Sequence, residues 1–160
     1  MNRIVGVLIG FFLISCGIYT FRGSIPPHIR TAEIRTFENQ TAEFGIEDRF
    51  IEVIDSILVS ENLLKIVDSD GDSIFEGTIQ SIIDKPQEYD VGENVETYRI
   101  SMKISASWFD TKNNKMLAEK DLNRFADYPS DSLVVGRNRA LNEVIQKISK
   151  DIVNLTEVGW

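Results

Sequence analysis

Residues 97–109 read TYRISMKISASWF, and their alternation decides the fold. Tyr98, Ile100, Met102, Ile104, Ala106 and Trp108 occupy one set of alternate positions. Thr97, Arg99, Ser101, Lys103, Ser105 and Ser107 occupy the other. A strict period of two over a dozen residues means a strand with one buried face and one polar face, as in an antiparallel sheet covered on one side only. Something apolar must therefore lie against the even-numbered side chains.

Two segments have the matching pattern. Between Ile46 and Ser60 the apolar residues fall mostly at steps of three and four. Glu47, Asp48, Glu52 and Asp55 lie mainly opposite, and Glu47 and Asp48 suit the positive end of a helix opened after Gly45. Leu141, Val144, Ile145, Ile148, Ile152 and Leu155 repeat the spacing near the other end, where Pro129 and Ser130-Asp131 stop the sheet and cap the helix. The remaining elements read as strands at 31–37, 63–67, 73–84 and 116–125. ENQTAEFG at 38–45 and the acidic KPQEYDVGENVE at 85–96 read as loops. The order β-α-β-β-β-β-α predicts an α+β two-layer sandwich, with two amphipathic helices on one face of a mostly antiparallel sheet.

The N-terminus is of another kind. Asn2 and Arg3 precede eleven apolar or uncharged residues, Ile4–Ile14, too few for the roughly 20 that a membrane-spanning helix needs and right for a signal peptide. The run ends in Leu13-Ile14-Ser15-Cys16, which matches the bacterial lipobox, and Cys16 is the sole cysteine of the chain. Residues 1–15 are then the signal peptide, Cys16 is the lipidation site, 16–30 form an acylated tether stiffened by Pro26-Pro27, and 31–160 form a single domain. Acylation at Cys16 provides attachment to the membrane and leaves no thiol for a disulfide, a metal or catalysis. Gly17 in place of an aspartate favours the periplasmic face of the outer membrane. Cleavage takes Arg3 and no acidic residue, leaving 145 residues with 16 Lys/Arg against 25 Asp/Glu, a net charge of −9. That balance argues against a nucleic-acid partner.

No constellation for catalysis emerges, so the chain reads as a non-enzyme without cofactor. DSDGDSIFEG at 68–77 fails the calcium-loop spacing, because Gly71 and Glu76 fall at positions four and nine from Asp68. His28, the only histidine, reads as an exposed tether residue. Glu47-Asp48 reads as a solvated helix face. Arg99 and Lys103 share the polar face of the long strand and are the candidate partner-interface residues. Arg137 and Arg139 sit at a helix start, where cations oppose the dipole, which suggests a contact there. The sequons at Asn39 and Asn154 are chance matches in a bacterial lipoprotein.

Several stretches resemble lipopolysaccharide-assembly lipoproteins of the LptE type. FENQTAEFGIED at 37–48 carries Phe37, Asn39, Thr41, Gly45 and Glu47 in the order of that family's signature. DSIFEGTI at 72–79 is similar to its aspartate-apolar-glycine strand, and residues 98–122 are similar to its long hairpin. The resemblance implies a structural plug and assembly partner of a large β-barrel, LptD, through which lipopolysaccharide reaches the outer leaflet, with lipopolysaccharide itself a possible ligand. A periplasm-facing regulator, such as a peptidoglycan-synthase activator, is the alternative. The short span from Cys16 to Thr31, at most about 50 Å when extended, counts against it.

Overall fold

The computed structural model describes residues 25–157. Cys16 and the signal segment lie outside the described residues. The architecture is α+β, with two helices on a mostly antiparallel open sheet in the expected element order. Strands β1 (Thr31–Ile34) and β2 (Glu38–Asn39) precede helix α1 (Ile46–Ser60). Then come β3 (Lys65–Ile66), β4 (Ser73–Tyr89), β5 (Val95–Asp110), β6 (Lys115–Pro129) and helix α2 (Leu133–Val153). The sheet order is β3-β1-β4-β5-β6, with β2 paired to β4. The three long strands are antiparallel, while β1, β2 and β3 join in parallel. Parallel neighbours need a crossover, and α1 provides it between β1 and β3.

The alternation in β5 is realised without a slip. Ile100, Met102, Ile104, Ala106 and Trp108 are all buried. Against this floor α1 lays Ile46, Phe50, Ile54 and Leu58, and α2 lays Ala140, Leu141, Val144, Ile145, Ile148 and Ile152. Each fully buried large aliphatic or aromatic side chain contributes about 1.5–3 kcal/mol, so this seam is the main source of stability. The cross-strand pair Phe75 and Trp108 stacks at 5.8 Å. Phe37 stacks on Phe50 of α1 at 5.7 Å, tying the segment before β2 to the helix layer.

Phe37 needs a gap in the sheet, and Gly77 leaves it. A Cβ built on Gly77 would lie 2.6 Å from the Phe37 ring and 2.6 Å from the Ser105 carbonyl oxygen. Its cross-strand partner is Ala106, so two small side chains share the place where the ring sits.

Several boundaries differ from the sequence reading, among them β6, which runs on to Pro129 instead of ending at Phe125, and β3, which is only Lys65–Ile66. The acidic stretch 85–96 is mostly strand: β4 runs to Tyr89, β5 starts at Val95, and only 90–94 turn. Cross-strand pairing continues past Pro86 because the register shifts between Pro86 and Glu88, so a residue lacking an N–H is tolerated there. Asp90 closes the tip, its Oδ1 accepting the Gly92 and Asn94 backbone N–H groups. The first strand stops at Ile34, and two residues of the expected loop, Glu38 and Asn39, pair with β4 instead. Finally, a 3-10 turn at Ser130–Ser132 leads into α2, and no side chain caps its first turn.

Gly77→Ala drives a methyl into the Phe37 ring and is expected to destabilise the fold by about 1–3 kcal/mol. Urea unfolding with an unchanged slope and a lower midpoint is the expected reading; a midpoint equal to that of the unsubstituted chain would sink this account of Gly77.

Candidate functional site

The sandwich offers three places where polar side chains are organised: the open sheet face and the two ends. The open face carries Arg99 and Lys103, as the alternation requires. Both cations are met by acids of the neighbouring strand. Arg99 donates from Nε and a terminal nitrogen to both oxygens of Asp127, at 2.7 and 2.8 Å, and its guanidinium lies 3.9 Å over the Phe125 ring. The bond from Arg99 holds the Asp127 carboxyl below its ordinary range, and the same bond raises the Arg99 pKa. Lys103 pairs more loosely with Asp121, at 3.7 Å. The face therefore presents ion pairs and a serine row rather than bare positive charge. Beside them runs an open trough of about 320 Å³ lined by Arg35, Glu38, Glu76, Ser105, Ser107 and Glu119.

At one end, the segment expected to be tether is docked. Ile29 is buried in the core and Ile25 packs against it. His28 is not an exposed tether residue: its Nε2 lies 2.6 Å from Oδ2 of Asp110, whose side chain is only 2% exposed. Asn113 donates from Nδ2 to the same oxygen at 2.9 Å, and its backbone N–H reaches Oδ1 at 3.1 Å. Lys112 bridges the His28 carbonyl and Asp72. Asp72 in turn accepts the backbone N–H groups of Arg30 and Thr31. Burial opposes ionisation of Asp110, but the bonds from His28 and Asn113 outweigh it, and its pKa lies below the ordinary value. Asp72 is held well below that range, chiefly by the bond from Lys112 and then by the Arg30 N–H.

At the opposite end, the signature residues act together. Asn39 Nδ2 donates to the Glu43 carbonyl at 2.7 Å and to Glu47 at 3.1 Å. Its Oδ1 accepts from the Thr41 N–H and hydroxyl, and the Thr41 oxygen accepts the Glu43 N–H. Gly45 then turns the chain with φ of +70°, a conformation that favours glycine, directly into α1. The knot places Glu43 beside Arg137, which also donates to Asp84 of β4. Tyr128, stacked on Tyr98, donates its hydroxyl to Asp84 at 2.8 Å. Burial, and then that bond, push the Tyr128 hydroxyl up to about 12. The unfavourable placing of Arg137 at a helix start is thus offset by two carboxylates. Spacing alone could not show this, because Glu43, Asp84 and Arg137 are distant in sequence.

Among the described residues no cluster of three His, Cys, Asp or Glu side chains could hold a metal ion, and no helix is long and apolar enough to cross a membrane. The model of a lipopolysaccharide-assembly family, LptE, matches residues 29–156. The chain belongs to the LptE family. This places it in a family of lipopolysaccharide-assembly lipoproteins, and the match takes in the docked residues 29 and 30 and both ends of the sandwich. Solved structures agree on the fold. The hypothetical protein CT253 of Chlamydia trachomatis has a TM-score of 0.58 at 14% identity, over 81% of this chain and 96% of that one. Rare lipoprotein B of Shewanella oneidensis has 0.54 at 15%, over 78% and 92%. The PelC dodecamer of Paraburkholderia phytofirmans has 0.56 at 10%, over 83% and 92%. No curated protein sequence matches the chain.

The clasp at Asp110 yields a stability test. A carboxyl whose folded pKa is depressed contributes stability that is fully present above its unfolded value, near 3.9, and is lost as the pH falls through the folded value. Asp110→Asn should therefore flatten the acid limb of the stability profile. His28→Ala should cost about 1–3 kcal/mol at neutral pH by leaving an inaccessible carboxylate short of a partner. Identical acid limbs with and without Asp110 would rule the clasp out as a source of stability.

Proposed function

We propose that this LptE-family chain is a non-catalytic outer-membrane lipoprotein, acylated at Cys16 and held at the periplasmic face, which serves as plug and assembly partner of a large LptD-like β-barrel in lipopolysaccharide export. The observation that carries the reading is the family match over residues 29–156, immediately downstream of a lipobox cysteine. The name of one structural relative, rare lipoprotein B, is in keeping with a lipid-anchored chain.

The action is mechanical. A sandwich with a continuous apolar core resists deformation, because close-packed interiors transmit strain instead of yielding to it. Such a body can fill a polar lumen that would otherwise leak. The open sheet face suits a polar wall, since its cations are already neutralised by Asp127 and Asp121 and cost little to bring against hydrogen-bonding partners. Arg99 and Lys103 are the residues of that face to probe first. The same pairing, on a chain of net charge −8, weakens the case for direct capture of lipid A phosphates by this protein alone.

Depletion of the protein should lower the amount of correctly folded barrel in the outer membrane, measured by heat-modifiable migration. Cys16→Ser should move the chain from the membrane to the soluble envelope fraction. Barrel levels that stay unchanged on depletion would overturn the assembly role, and a Cys16→Ser chain that still sediments with membranes would overturn the anchor.

A further inference from the structure

The signature loop does more than close one end of the sandwich: it holds Phe44 out in solvent. Phe44 is 99% exposed, although the residues on either side are fixed by the Asn39–Thr41–Glu43 bonds and by the Gly45 turn. Arg137 joins this loop to the first turn of α2, where Leu133, Val134 and Val135 stand exposed in succession, Val134 at 75%. The β4–β5 hairpin projects from the same end, since Asp84 of β4 shares Arg137, and its tip carries exposed Val91. An amphipathic helix does not ordinarily begin with three consecutive solvent-facing aliphatic residues, and contiguous exposed apolar surface marks an interaction site.

The surrounding charge narrows the occupant. Glu88, Asp90, Glu93 and Glu96 lie on the hairpin and Asp131 in the turn before α2, against exposed Lys85 and Arg139. Arg137 is already held by Glu43 and Asp84, so the surround is acidic on balance. An apolar patch with an acidic surround repels the phosphates of a lipid surface and suits apolar side chains flanked by lysine or arginine. The patch is also remote from the docked segment 25–30, the neck of the domain. Thr31, directly after the neck, meets β4 at Ser73, and Arg137 meets β4 at Asp84, roughly 35–40 Å further along at about 3.3 Å per residue. We propose that Phe44 and Leu133–Val135 form a docking surface for a protein segment of apolar and basic character belonging to the barrel partner. This rests on the barrel reading above and adds the surface through which the barrel is held.

The test uses the full acylated chain in living cells, with a photo-crosslinking amino acid at position 44, 134 or, as a control, at the exposed apolar Val59 on α1. Ultraviolet-dependent adducts with the barrel from 44 and 134 but not from 59 are expected. A Phe44→Asp/Val134→Asp chain should recover at least ten-fold less barrel in mild detergent. Because both side chains are exposed, its melting temperature should match the unsubstituted protein, which separates lost docking from lost folding. Adducts with lipid alone would assign the patch to the membrane and overturn the proposal. Full barrel recovery by the double variant, or no adduct from either position, would overturn it as well. If the unsubstituted chain recovers no barrel, the plug reading itself fails and takes this occupant with it.

Discussion

The even-numbered face of β5 is the constraint on which the sandwich rests. Five buried side chains from Ile100 to Trp108 form a floor wide enough for two helices, and each helix has only one apolar stripe to place on it. The register of β5 against β4 and β6 follows, since a slip of one residue would turn Arg99, Lys103 and the serines into the core. Placing α1 on that floor brings Phe50 over Phe37, and Phe37 in turn requires Gly77. A packing requirement at the centre is thereby carried outward to the signature loop.

The parts legible in the sequence were those with a repeating pattern. The period of two in 97–109 and the steps of three and four in both helices are local signals of burial, and they led to the correct fold class and element order. The hairpin 85–96 was hidden because Pro86, Gly92 and four acidic residues look like a loop by composition. In the fold they lie on a solvated two-stranded arm, where neither charge nor a missing N–H is penalised. The docking of His28 was hidden because its partner, Asp110, lies 82 residues away. The family signature was recognisable as a string, but its meaning was not. Only the fold shows Asn39, Thr41, Glu43 and Glu47 as one hydrogen-bonded knot.

The two ends of the molecule have different chemistry because different elements terminate there. Tight polar turns end β3–β4 and β5–β6 beside the neck, and their aspartates bind backbone N–H groups and His28. At the other end a helix begins, a strand arm overshoots the layer, and the signature loop enters α1. Arg137 gathers these three with two carboxylates, leaving the aliphatic first turn of α2 outside the core. One end is hydrogen-bonded and closed, and the other is apolar and open.

Docking of the neck also alters how crowded this domain would find its surroundings. If Cys16 is the anchor, as proposed above, the residues from it to Thr31 span at most about 50 Å, whereas those from it to Ile25 span at most about 30 Å. Volume grows as the cube of reach, so seating Ile29 and His28 on the sheet shrinks the hemisphere available to the domain about five-fold. With that anchor the effective concentration at the leaflet would rise by the same factor, to about 30 mM, with no added contact to any partner. Under the proposed anchor, six residues folded back against a sheet end would thus raise the frequency of encounter for whatever waits in the membrane beside them.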